Sequence, residues 1–159
     1  MSSQLLDADA ANEELQTFLF YLDDNQEAFR DSLAVQGYTL DYSLNTLPEL
    51  ERYIRDKGPQ IAWQNKAESA AKLRLPVWSY IGETFRNVFG GGWRVSLDDP
   101  NSVNYGKWVL KGFDAVGVEF DPLRTMQAFL LRGKPPIRSM MEAHATPTPL
   151  DLSHLPTED

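Results

Sequence analysis

The stretch YIGETFRNVFGGGW, residues 80–93, holds the point where the chain changes period. Up to Phe89 the apolar residues recur every three or four positions: Trp78, Gly82, Phe85 and Phe89 share one helical face, with Val77, Ile81 and Val88 beside it. After the glycines the period is two. Trp93, Val95 and Leu97 alternate with Arg94 and Ser96, the pattern of a half-buried strand. The stretch therefore reads as a largely buried helix that ends and reverses into a strand. Gly90 supplies the left-handed conformation that stops the helix, and Gly91 and Gly92 permit the reversal. Trp93 then folds back on the helix, and Gly82 lets another element approach its backbone. Glu83 and Arg86, three apart, suit a weak surface ion pair. Because the triple glycine closes a helix instead of opening one, its amides do not form a phosphate cradle.

Outward from this junction, residues 12–36 carry a helical repeat in Leu15, Phe18, Leu19 and Leu22 that resumes at Phe29, Leu33 and Ala34. The polar DDNQE between them predicts two helices or one bent one, with Asn12 as cap and Gly37 as stop. Leu47, Leu50, Tyr53 and Ile54 predict a short helix between Thr46, as cap, and Gly58-Pro59. Residues 60–89 read as a third helical region in which Pro76 is expected to end one helix near Leu73 and begin another. Beyond WRVSL, the segments VNYGKWVLKGF and VGVEF predict two further strands. Asp121, Pro122 and Gly133 bracket another helix, and IRSMMEAHA suits a short last one.

Helices, then a small antiparallel sheet, then a C-terminal helix and a flexible tail make the expected class α+β. Residues 1–145 are expected to form one domain, and the proline-rich 146–159 a disordered tail. The acidic N-terminus does not have the pattern of a signal peptide, and no apolar run approaches the roughly 20 residues of a membrane helix, so the expected location is cytoplasmic.

The chain has no cysteine among its 159 residues, which removes thiolate chemistry and thiolate metal sites. Its net charge is −8 and is uneven. Residues 1–56 hold twelve acids against three bases, whereas residues 57–145 hold twelve bases against eight acids. Phosphate-driven nucleic-acid binding is therefore disfavoured, and the acidic front reads first as a solvated helix face and second as a surface that attracts a basic partner. No catalytic set is legible. Asp98, Asp99, Asp114 and Glu119 lack diagnostic spacing, and both histidines, His144 and His154, lie at or in the tail. The paired acids at 23–24 and 98–99 lack the spacing of a calcium loop, so no metal or cofactor is expected.

The stretch YIGETFRNVFGGGW, with LDYSLNTLPELERYI before it, resembles a loose group of uncharacterised bacterial domains. These pair a D(Y/F)S…SL..L helix start with a later Y.GE..R…GG.W segment. The likeness spans roughly residues 38–131, with Thr46 where a serine is commoner and Pro76 as a departure just before the shared segment. Some members resemble immunity proteins of polymorphic toxin systems; the resemblance implies a small cytoplasmic protein and no established activity.

Three functions follow as expectations. The first is an immunity-type domain that occludes a basic toxin domain through Asp23, Asp24, Glu27 and Asp31, three of which lie four apart on one helix side. The second is a structural or regulatory subunit of a secretion or phage-like assembly, with the tail as a docking peptide. The third is a small-ligand domain or enzyme whose aromatic pocket is lined by Trp78, Glu83, Trp93, Tyr105 and Trp108. An apolar helix face left exposed would also permit self-association.

Overall fold

The computed structural model describes residues 7–145, so the expected tail and His154 lie outside the described residues. The elements are α1 (Ala8–Val35), α2 (Leu47–Lys57), α3 (Glu68–Phe89), β1 (Gly92–Val95), β2 (Trp108–Lys111), α4 (Pro122–Arg132) and α5 (Ile137–Ala145). This is the expected α+β order, dominated by helix.

α1 is one helix of 28 residues, not two. The DDNQE segment does not interrupt it, because it contains neither glycine nor proline and its charged members all point outward. The buried stripe Leu15, Leu22, Phe29, Leu33 runs through it, with only Gln26 turned inward. The cap is Asp7, whose Oδ1 accepts from the amides of Asp9 and Ala10 at 3.0 and 3.2 Å. Asn12 instead donates to the Ala8 carbonyl within the helix. Gly37, at φ +96°, ends it. The amides of Gly37 and Tyr38 bond back to the carbonyls of Ala34 and Leu33, which is a Schellman closure.

α2 lies where its punctuation predicts, with Leu47, Leu50, Tyr53 and Ile54 buried. Thr46 precedes it but makes no side-chain cap bond. Its hydroxyl donates to Asp41 Oδ1 at 3.0 Å and lies 3.2 Å from Tyr80 Oη.

α3 corrects the expectation at Pro76. The helix begins only at Glu68 and then passes through the proline without a break. Two nearby carbonyls gain side-chain donors: Ser79 Oγ to Leu75 (2.7 Å) and Gln26 Nε2 to Pro76 (3.1 Å). An internal proline costs about 3 kcal/mol. Val77, Tyr80, Ile81 and Phe85 are all fully buried on the same helix. Each such side chain contributes about 1.5–3 kcal/mol, so continuity wins. Val88 is the exception on this stretch, at 39% exposure.

The sheet is smaller than the pattern predicts. β1 and β2 pair antiparallel, with Trp93 opposite Leu110 and Val95 opposite Trp108. The third expected strand is reduced to one bridge, Leu110 to Phe120, closed by two bonds of 2.8 and 2.9 Å. Its preceding amides are consumed elsewhere: Asp114 Oδ1 accepts from Gly117 and Val118 at 2.9 and 3.1 Å. Asp121 then caps α4 through the Arg124 amide, and Gly133 closes that helix at φ +70°.

The junction at 80–93 is built as its residues suggest, with one difference. Gly90 has φ +90° and ψ −162°, a region for glycine only but not the left-handed helical one. Trp93 does fold back: a Cβ placed on Gly82 would overlap Cη2 and Cζ2 of its ring and lie 3.1 Å from Cγ of Pro122.

Candidate functional site

The charge imbalance concentrates on α1, which carries seven acids and a single base, Arg30. Asp23, Glu27 and Asp31 line one side of a cleft of about 510 Å³, whose other wall is Thr39, Leu40 and Tyr42. Asp24 is exposed on the same helix but outside this lining. Arg30 is committed to the opposite wall. Its Nε donates to the Leu40 carbonyl at 2.8 Å, and its guanidinium sits 4.5 Å above the Tyr42 ring.

Several acids elsewhere have basic partners, among them Glu49 with Arg52 (2.9 Å), Glu83 with Arg86 (2.7 Å) and Asp121 with Lys107 (3.3 Å), whereas Asp41, Asp99 and Asp114 are held by other hydrogen bonds or lie exposed. Among the described residues, Asp24, Glu27 and Asp31 have no ion pair, and Asp23 contributes only a longer-range attraction to Arg86. Like charges four apart on a helix destabilise it by about 0.2–0.5 kcal/mol per pair. The ladder at 23, 27 and 31 therefore weakens the helix that carries it.

The wall facing the ladder is strained. Tyr42, at φ +65°, is the one non-glycine among the described residues with positive φ. Such a conformation costs on the order of 1–3 kcal/mol and persists only when its surroundings enforce it. Here they do. The Tyr42 amide donates to Tyr80 Oη at 3.0 Å, and its carbonyl accepts from Asn87 Nδ2 at 3.1 Å. Its ring stacks on Tyr80, with centroids 5.1 Å apart. Beneath it, bonds from the Ser43 hydroxyl and amide and from the Thr46 hydroxyl hold the Asp41 carboxyl below the usual aspartate range. Burial raises the Tyr42 phenol above its ordinary value, against the opposing pull of the Arg30 charge. Tyr80→Phe removes the partner of the Tyr42 amide and is expected to lower stability by about 1–3 kcal/mol. A thermal melt measures this, and an unchanged midpoint would show the wall is held some other way.

The five residues of the expected aromatic pocket are not assembled as one site. Trp78, Trp93 and Trp108 do meet, but around Phe18 of α1, whose ring centroid is 5.5, 5.2 and 4.7 Å from theirs. Trp93, 4% exposed, is core, whereas Trp78 and Trp108 are half-buried and also line an open cavity of about 340 Å³ with Glu14, Lys107 and Asp121, which neither Glu83 nor Tyr105 lines. Tyr105 lies in the turn before β2, its amide bonded to Ser102. Glu83 is buried and not on the surface. Its carboxylate accepts from Arg86 Nε and Nη2 at 2.7 and 3.3 Å, which holds the guanidinium charged above its ordinary range. Glu83 is thus committed to Arg86 and is not among the residues that line the acidic cleft.

A second polar cavity, of about 420 Å³, brings Glu119, Asp121, Arg124 and His144 together, a grouping with no sequence signature. Its carboxylates are already occupied. Glu119 accepts from Ser96 and Asn104, and Asp121 from Lys107 and the Arg124 amide. Among the described residues no group of histidines and acids is arranged to hold a metal ion, and no helix is long and apolar enough to cross a membrane. Compared with protein-family models, with curated proteins and with solved structures, the chain matches none.

Proposed function

We propose that this chain is a non-enzymatic protein-binding domain, most concretely an immunity-type protein that neutralises a bacterial toxin by covering a basic surface of it. The observation that carries this reading is the unpaired acidic ladder Asp23, Glu27, Asp31 facing the strained Tyr42 across one cleft. A merely solvated helix face gains nothing from like charges stacked four apart, whereas a face that must capture a basic partner gains association rate from them. Aromatic anchors stand nearby. Phe20, 78% exposed, lies four, seven and eleven residues before Asp24, Glu27 and Asp31, hence on one stripe of α1.

The test is a binding measurement on the triple variant Asp23→Asn, Glu27→Gln, Asp31→Asn, with the partner captured from a bacterial lysate by the unaltered protein. Association is expected to slow at least about tenfold, with a weaker salt dependence. The free variant is expected to be more stable by about 0.4–1 kcal/mol, because two repulsive pairs are removed. Unchanged association kinetics would defeat the reading, and capture of assembly components in place of a toxin would favour a structural subunit.

A further inference from the structure

The open cavity of about 340 Å³ beside the tryptophans lies where α1, α3, β2 and the start of α4 meet, and its lining includes Trp78, Trp108, Glu14, Lys107 and Asp121. Two indoles form one wall. Trp78 and Trp108 are half-buried, with ring centroids 6.2 Å apart and planes tilted by 55°. Phe18 completes the cluster, 5.5 and 4.7 Å from the two rings. Glu14 stands one turn before Phe18 on α1, so the two share a side of the helix. Two of the charges at this cavity cancel. Lys107 Nζ lies 3.3 Å from Asp121 Oδ2, and the other Asp121 oxygen accepts the Arg124 amide. Glu14 is exposed and has no hydrogen bond or ion pair among the described residues. The uncompensated charge at the cavity is therefore negative. Elsewhere the chain places its own cations over its rings: Arg30 over Tyr42 at 4.5 Å, and Lys66 and Arg74 over Trp63 at 5.6 and 5.4 Å. Among the described residues no cation of the chain lies over Trp78 or Trp108, although Lys107 lines the same cavity.

We propose that this cavity binds an organic cation of the quaternary ammonium type, with Trp78 and Trp108 as its aromatic wall and Glu14 as its counter-charge. The face of an indole attracts a cation within about 6 Å of the ring, and more strongly where water is displaced. Hydrogen bonding selects the methylated form over a bare ammonium. A bare ammonium brings three donors, and with Asp121 spent on Lys107 the cavity offers them one free carboxylate. A trimethylammonium brings no donor, so rings and one nearby charge suffice for it. The inference is independent of the acidic cleft, whose lining does not include Glu14.

The experiment titrates choline and its neutral carbon isostere dimethylbutanol into the full chain and follows the indole N–H resonances. Choline is expected to bind at least about tenfold more tightly, although the alcohol is the more apolar of the two. The resonances of Trp78 and Trp108 are expected to shift and that of Trp63 to stay, because its ring already carries Lys66 and Arg74. Trp108→Leu is expected to weaken choline binding by about tenfold or more. Glu14→Gln, at an exposed position, covers the case in which Trp108→Leu fails to fold: it is expected to weaken choline about threefold and the alcohol not at all. A trimethyllysine peptide and phosphatidylcholine vesicles, titrated in the same way, identify the carrier. Tighter binding of either than of choline assigns the cation to a protein or to a lipid headgroup, and tighter binding of neither assigns it to a free small molecule. Four results would each overturn the proposal: no saturable choline binding at millimolar concentration, equal affinity for choline and the alcohol, shifts centred on Trp63, or choline binding that Glu14→Gln leaves unaltered.

Discussion

Gly82→Ala is expected to destabilise the protein by about 3 kcal/mol, the upper end for forcing a methyl into a packed core. The new Cβ would overlap the six-membered edge of the Trp93 indole, and Pro122 Cγ, 3.1 Å away, blocks retreat on another side. Trp93 cannot simply swing out. Phe18 packs against it edge-on at 5.2 Å and Trp78 at 6.0 Å, and its backbone is fixed in β1 opposite Leu110. The strain is therefore shared among α1, α3 and the sheet. For a domain of this size, a loss of about 3 kcal/mol lowers the melting midpoint by roughly 6–12 °C. Tryptophan fluorescence should shift with it. Trp93→Phe in the same chain should recover part of the loss, since the two changes share one contact and are not additive. If Gly82→Ala melts like the parent, the close approach of indole and helix backbone does not exist.

That contact also explains why the YIGETFRNVFGGGW stretch was partly legible. Reversal at a triple glycine and the return of Trp93 onto Gly82 are local consequences of a helix that stops and doubles back. The same locality made Gly37, Gly58, Asp121 with Pro122, and Gly133 readable as helix ends. What was not legible depends on distant partners. Pro76 reads as a break until α1 supplies Gln26 to its carbonyl from 50 residues away and the surrounding α3 residues are buried. Glu83 reads as a surface partner of Arg86, and its 6% exposure comes from tertiary packing that the spacing of the pair does not show. In the candidate site, the acidic ladder could be read from helical spacing alone. Its opposite wall could not, because Tyr42 is held by Tyr80 and Asn87, 38 and 45 residues further along. No residue preference marks a tyrosine for positive φ, where asparagine or glycine is usual.

Glu51→Leu is expected to cost about 2–3 kcal/mol and to release α5 before the rest of the fold opens, whereas Glu51→Gln should cost about 1 kcal/mol or less. Glu51 is 7% exposed on α2, and its Oε2 accepts the Ile137 amide at 2.8 Å. That amide belongs to the first turn of α5, where backbone donors have no partner inside the helix. A carboxylate there satisfies one of them and meets the positive end of the helix dipole. Leucine is compatible with the burial but leaves the amide dry and Arg55, 3.7 Å from Oε1, without its partner. Glutamine keeps a carbonyl oxygen in the same place and loses only the charge. The difference between the two variants thus isolates the acceptor from the packing. α5 is otherwise held mainly by Ile137 and Met141, both fully buried, and it carries the His144 ring that meets Phe120 at 5.4 Å. Amide hydrogen exchange should therefore rise in 137–145 for Glu51→Leu, with α1 and α3 still protected. Equal exchange in all helices, or equal losses for leucine and glutamine, would mean that α5 is held by its apolar face and that the Glu51 bond is incidental.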